Sequence, residues 1–394
     1  MTVNSTPRPA HRGWLTGADC RIEDFRAVVE QPTSLDDYPN ADAVERNVLS
    51  YGPRLLERAA RPDGRHGVQA ELARALADGP GIVVIKGAFR DTSVVDRATA
   101  AFDAMITEQR AAGVAAGDHF ATPGANDRVW GALEKFAIRE PRLFADYYAN
   151  EIIALICEAW LGPNYQLTSQ VNVVNPGGSA QLPHRDYHLG FMSLPQSSAY
   201  PAHVHRLSPV MTLQGAVAHC DMPVETGPTM YLPHSQKYEA GYLAFHQPEF
   251  AAYFGGHYVQ LPLDKGDAVF FNPALFHGAG TNRSADVRRM ANLLQVSSAF
   301  GRAMESVDRT AICEALFPVL ARLKAAGQAD RELRNIIASS AEGYAFPANL
   351  DRDQPTGGLA PQTQAELVWR AVREAWDTDT FRTELHSQAA RHRT

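Results

Sequence analysis

In the stretch LPHRDYHLGF, residues 182–191, His184, Asp186 and His188 stand at alternate positions. A spacing of two puts side chains on one face of an extended strand. Imidazole and carboxylate are both ligands that first-row metal ions accept. A second stretch, LDKGDAVFFNPALFHGAGTNRSADVRRMANLLQVS (263–297), places His277 after a Pro-containing corner, with Arg288 eleven residues further on. Gly278 and Gly280 follow the histidine and let the backbone approach a neighbour closely. Two imidazoles and one carboxylate on one side of an octahedral ion leave three positions open. That set suits Fe(II), and the open positions accept a bidentate oxoacid and then O₂. A nearby guanidinium offers a fork of donors to the far carboxylate of the oxoacid.

Other side chains compete for these roles. His188 shares the alternation of His184 and Asp186, but a fourth protein ligand would leave too few open positions for an oxoacid and O₂ together. It reads instead as a residue of the substrate pocket or of the ligands' surroundings. Arg289 is adjacent to Arg288 and points to the opposite face of a strand; the spacing from His277 favours Arg288, whose plain alternative is a surface ion pair. His203 and His205 form an HxH in PAHVHRLSP, which reads as a loop. His219 lies on an apolar strand as a satisfied core histidine, His234 reads as structural, and His257 begins a strand.

The elements that must position these groups change character along the chain. Residues 1–65 read as an irregular lead-in with one short helix near 42–56. A helical pattern over 67–79, a strand over 81–87 and helices near 93–112 and 140–161 follow. The middle third carries strand-like runs at 165–174, 209–220, 229–233, 257–263, 267–272 and 289–300, separated by turn residues. Such a series predicts a sandwich or barrel. Segments near 305–326, 331–340 and 363–377 are helical, and 350–362 reads as a linker. Three regions result: 1–65, a unit over 66–302 that holds the candidate ligands, and a helical extension over 303–394.

Composition narrows the classes of function. The 394 residues carry a net charge of −7, with 45% hydrophobic and 21% charged residues. This balance offers no basic footprint for nucleic acid or anionic membrane. No run approaches the roughly 18–20 apolar residues of a membrane span. The four cysteines are widely spaced and form no CxxC pair, so free thiols and a cytoplasmic setting are expected.

HRD at 184–186, GPTMYLPHSQK at 227–237, KGDAVFFNPALFHGAGTNRS and ADVRR resemble the phytanoyl-CoA dioxygenase family. The resemblance covers roughly 165–300, and more loosely 67–161. It implies a mainly β fold with flanking helices (α+β) around a double-stranded β-helix, the cupin-like jelly roll. It also implies an Fe(II)- and 2-oxoglutarate-dependent dioxygenase that uses O₂ and releases succinate and CO₂ on hydroxylating a C–H bond. By the same resemblance His184, Asp186 and His277 are the metal ligands and catalytic centre, and Arg288 anchors 2-oxoglutarate. Gln170 and Asn172 alternate toward one face and are further candidates for cosubstrate contact. Family members often carry a hydroxyl residue where this chain has Ala279, so Thr229 is expected to stand in. Halogenases of this architecture have Ala or Gly where Asp186 stands, so the carboxylate favours hydroxylation. Tyr187, His188, Phe191 and His205, in or beside the 190–208 loop, are candidates for substrate contact, with core packing the plain alternative for Tyr187 and Phe191. The expected partner is a small organic molecule, with neither nucleic acid nor membrane; a homodimer is compatible with the helical extension. Two other classes stay open: an oxoacid-independent cupin-type metalloenzyme (an isomerase or a direct dioxygenase), and a non-catalytic binding protein on the same scaffold.

Overall fold

The computed structural model describes residues 13–113, 124–186, 190, 192–355 and 357–393. Ten strands form among them: β1 (Ala43–Glu45), β2 (Val48–Tyr51), β3 (Ile82–Ile85), β4 (Asn126–Val129), β5 (Gln166–Val174), β6 (Thr212–Ala218), β7 (Met230–Leu232), β8 (Ala268–Phe271), β9 (Phe276–Gly278) and β10 (Arg289–Ser297). Eight make one sheet in the order β1-β2-β3-β8-β6-β10-β5-β4, antiparallel except for the parallel pair β2–β3. β7 and β9 pair in a second, smaller sheet. Bridges from His184 to His277 and from Val259 to Tyr231 add one extended segment to each edge of that small sheet.

Alternation along the strands explains how the layers stack. Val83, Ile85, Val171, Val173, Leu213, Val217, Phe270, Met290, Leu294 and Val296 join one large apolar cluster with the helices. The intervening residues Ile82, Val84, Ala218, Val269 and Phe271 belong to a different cluster, shared with Tyr231 and Leu275 at the small sheet. Helices thus cover one face of the large sheet, and the small sheet covers the other. This is the two-sheet jelly-roll arrangement with flanking helices. Helix Arg309–Ala325, from the C-terminal segment, buries Ile312, Leu316, Phe317 and Leu320 in the helix-side cluster.

Several expectations change at this level. The segment expected to be a helix near 42–56 is the β1–β2 hairpin, turned by Arg46 and Asn47 with φ of 51° and 66°. A two-residue turn with both φ positive matches the twist of a hairpin, and Asn tolerates that region well. The lead-in is therefore not irregular: it supplies helix Ile22–Val29 and two strands of the large sheet. The single helix expected over 140–161 is two, Pro141–Tyr148 and Glu151–Leu161. Asn150 breaks it, its side chain accepting from the backbone N–H groups of Ile152 and Ile153 as a cap. Residues 258–263 make only isolated bridges, because Pro262 has no N–H to continue a ladder. His257 ends helix Pro248–His257, where it stacks on Tyr253. PAHVHRLSP lies in helix Ala202–Val210 rather than a loop. All four cysteines are free thiols.

Candidate metal and cosubstrate site

The small sheet brings the two distant histidines face to face. His184 N–H donates to the His277 carbonyl at 2.9 Å, and His277 N–H donates back at 3.1 Å. Asp186 N–H then reaches the carbonyl of Pro273 at 3.0 Å. Gly278 and Gly280 permit this closeness: a Cβ on Gly278 would lie 3.2 Å from the carbonyls of Gln181 and Leu182, and one on Gly280 would fall 2.8 Å from that of Pro228. The neighbour that approaches these glycines is the chain itself.

Each imidazole is oriented by a carbonyl two residues earlier. His184 Nδ1 lies 2.9 Å from Leu182 O, and His277 Nδ1 lies 2.8 Å from Leu275 O. A carbonyl accepts only, so each Nδ1 carries a proton and each Nε2 is the nitrogen left to face a metal. The two Nε2 atoms lie 3.9 and 3.7 Å from the oxygens of Asp186. Burial, with His184 beside it, pushes the His277 imidazole down to about 4, so the ring is neutral near pH 7. Gln214 donates its Nε2–H to Asp186 Oδ2 and fixes the carboxylate. Among the described residues, these three side chains are the group of His, Cys, Asp and Glu that converges as metal ligands do. Neutral imidazole, neutral imidazole and carboxylate are the donor set of a ferrous facial site, and the residues present fit that ion.

Arg185, between the two ligands, points the other way and holds the segment in place. Its guanidinium is buried over the rings of Tyr242 and Phe276, each centroid 5.2 Å away, and donates to the Ser235 carbonyl. Ser235 Oγ in turn accepts from Phe276 N–H at 2.7 Å, tying LPHS to the strand before His277.

The triad opens into a cavity of about 310 Å³ between the sheets. Gln170, Asn172 and Thr229 line it, as do Ala279 and Arg289. Arg288 does not. Its side chain is 45% exposed and pairs with Asp103 at 3.3 Å on helix Thr92–Ala111. Arg289 is only 6% exposed, donates to the Thr226 carbonyl at 3.3 Å, and is held down to about 10 by burial, still charged at neutral pH. The reason is the register of β10. Residues 289, 291, 293 and 295 face the cavity, while Met290, Leu294 and Val296 face the helices. Arg288 therefore falls on the wrong side, and the guanidinium available to an oxoacid in the cavity is that of Arg289.

His205 is also absent from the cavity wall. It is buried in its helix beside Tyr242, with Nε2 3.2 Å from the Tyr200 carbonyl. Tyr187, His188 and Phe191 lie outside the described residues. His219 is the satisfied core histidine expected: Thr99 donates its hydroxyl to Val95 O, so His219 Nδ1–H donates to Thr99 and Nε2 accepts from Tyr147. The cavity also has walls the motifs did not point to, namely Arg128, Trp130, Gln181, Gln214, Tyr231, Gln295 and Met304. For Gln214 and Gln295 the signal was a polar side chain at the cavity-facing parity of an otherwise apolar strand. A more open depression of about 690 Å³ lies beside Asn164 and the 343–363 segment. Both of its carboxylates are already engaged: Asp353 by Arg391 and His392, and Glu366 by the backbone N–H of Thr363.

The dioxygenase cdmD of Talaromyces verruculosus is 33% identical over 161 residues, covering 40% of this chain and 48% of that protein. The chain thus spans about half the length of this curated relative. Among solved structures, the non-heme alpha-ketoglutarate-dependent carbocyclase SnoK from nogalamycin biosynthesis aligns at 23% identity and a TM-score of 0.41, covering 58% of this chain and 83% of that one. HygX from Streptomyces hygroscopicus, solved with nickel, 2-oxoglutarate and hygromycin B, aligns at 14% identity and a TM-score of 0.43, covering 60% and 90%. The sequence profile of phytanoyl-CoA dioxygenase (PhyH) matches residues 77–290, more than half of the chain and every residue of the triad. The chain belongs to the phytanoyl-CoA dioxygenase family.

Proposed function

We propose that this protein is an Fe(II)- and 2-oxoglutarate-dependent oxygenase that hydroxylates an unactivated C–H bond of a small organic molecule. The observation that carries the reading is the convergence of His184, Asp186 and His277 on a cavity that also contains the buried guanidinium of Arg289. When bound, a ferrous ion with 2-oxoglutarate couples decarboxylation of the oxoacid by O₂ to oxidation of the substrate, leaving succinate and CO₂. His184 and His277 supply lone pairs from Nε2, and Asp186 supplies the single negative charge. Gln214 keeps that carboxylate oriented toward the site. Arg289 receives the distal carboxylate of the cosubstrate, with the Thr229 hydroxyl on the same wall taking the part that Ala279 cannot. The apolar residues Ile82, Val84, Leu261, Val269 and Phe271 line the same cavity and lower the dielectric around its charged groups. A carboxylate at position 186 fills the place a halide would need, which supports hydroxylation. Four free thiols fit a reducing, cytoplasmic compartment.

The test is succinate formation by protein supplied with Fe(II), 2-oxoglutarate and O₂, screened against small molecules, with mass spectrometry of the product. Succinate that requires all three, and a product heavier by one oxygen atom, is the expected result. Absence of succinate with every compound, and without any compound, would exclude the reaction class.

A further inference from the structure

The two ends of the cavity differ in what they offer a ligand. Away from Arg289, Gln214 on β6 and Gln295 on β10 are cross-strand partners, and both line the wall. The Gln214 amide cannot be turned round, because its Nε2–H is given to the Asp186 carboxylate, which accepts only. Its Oε1 is buried and accepts no hydrogen bond. The same holds for Gln295 Oε1 and for Asn172 Oδ1 on β5. A buried carbonyl left without a donor is costly; Gln214 and Gln295 form an adjacent pair of acceptors awaiting donors, and Asn172 stands nearer Arg289, opposite Ala291. The cosubstrate does not supply them, since 2-oxoglutarate in its ionised form presents acceptor oxygens alone.

We infer that the substrate presents hydroxyl or amide N–H donors to Gln214 and Gln295, next to the carbon that is oxidised. The inference rests on the oxygenase reading above and names the substrate class that this site selects. The donor is uncharged. Asp186 is the one carboxylate on the described cavity wall, and it is committed to the metal and to Gln214, so the wall offers an ammonium group no acidic partner of its own. Trp130 lines the same wall, with the Arg128 guanidinium 4.6 Å over its ring. Because Gln214 holds Asp186, a donor bound at its Oε1 also fixes the carboxylate. Substrate binding and metal-ligand geometry are linked through one amide.

Matched aromatic probes test this on the full-length protein, loaded anaerobically with Fe(II) and saturated with 2-oxoglutarate. Benzamide is paired with acetophenone, and phenol with fluorobenzene; the second of each pair lacks the donor. Affinities are read by ligand-observed NMR. The expected result is binding at least about tenfold tighter for the donor-bearing member of a pair, with the difference abolished in Gln295→Met. Equal affinities within both pairs would overturn the inference, as would failure of all four to bind at millimolar concentration. A Gln295→Met protein that weakens both members of a pair equally also counts against it. If that variant does not fold, the wild-type comparison alone decides. The visible metal-to-ligand charge-transfer band of the iron–oxoacid complex is recorded on the same samples. Its absence would sink the oxygenase reading itself; its presence with equal affinities removes only the substrate class.

Discussion

The two faces of the large sheet are built from the same strands and do opposite work. On the helix side β5, β6 and β10 present Val171, Val173, Leu213, Val217, Met290, Leu294 and Val296. One residue out of step, on the cavity side, they present Gln170, Asn172, Gln214, Ala216, Arg289, Ala291 and Gln295. Polar groups on the helix side are few and enclosed by packing: Asn292 donates toward the hydroxyls of Tyr147 and Tyr148 while its Oδ1 has no partner, and His219 is bonded at both nitrogens. On the cavity side several amide oxygens have no partner within the protein. A satisfied polar group in a packed face fixes the fold, whereas an unsatisfied one facing a cavity fits a ligand. A one-residue shift of register would exchange the two roles throughout a strand.

Substitutions on opposite faces should therefore fail in different ways. The largest effect is expected for Asp186→Ala, which removes the only carboxylate of the triad. Turnover should fall by more than the roughly 10–100-fold typical of losing a partner that merely supports a ligand, with thermal stability nearly unchanged; succinate assays and calorimetry on the same sample separate the two. Leu294→Ala, on the helix face, should do the reverse. It should cost about 2–5 kcal/mol of folding stability in denaturant titration while the folded fraction keeps its affinity for 2-oxoglutarate.

The adjacent arginines sharpen the contrast. Arg289→Leu should weaken 2-oxoglutarate binding by roughly 10–100-fold, the loss of a charge-assisted contact of about 1.5–3 kcal/mol. Arg288→Ala breaks an exposed pair with Asp103 and should change that affinity less than about twofold. Equal losses in both would show that the register of β10 does not separate the faces.

A further prediction concerns acid stability. Burial holds the His219 imidazole down to about 3, against about 6.5 for an ordinary histidine. Between these values the unfolded chain binds a proton that the folded chain refuses, so stability falls as pH falls through that window, by at most about 1.4 kcal/mol per pH unit from this group. His219→Gln should flatten the dependence of Tm on pH between about pH 6 and pH 3. An unchanged slope would mean that other groups dominate it.

Much of this site was legible in the sequence, and the exceptions have physical causes. HxD spacing places His184 and Asp186 on one face, and Gly278 with Gly280 signals the close approach beside His277. The strands carrying the cavity wall announced themselves by β-branched runs. Counting from His277 favours Arg288 because the count ignores where β10 begins its alternation. The helix-facing parity of Met290, Leu294 and Val296 contains the answer, and with it Arg289. The β1–β2 hairpin was hidden because its turn uses Arg46 and Asn47 rather than an Asn-Gly pair. Trp130 and Arg128 carry no spacing signal, since they reach the cavity only because β4 pairs with β5, Arg128 opposite Asn172. Arg185 was hidden in plain view: sitting between two ligands, it reads as a motif residue, whereas its cation lies against Tyr242 and Phe276, far along the chain.

The most direct test is anaerobic addition of 2-oxoglutarate to the Fe(II)-loaded protein while the visible charge-transfer absorption is followed. The band should appear in the wild type and in Arg288→Ala at similar cosubstrate concentrations, require far more 2-oxoglutarate in Arg289→Leu, and vanish in His277→Ala. A wild-type protein that gives no band, or a His277→Ala protein that gives one of full strength, would contradict the account.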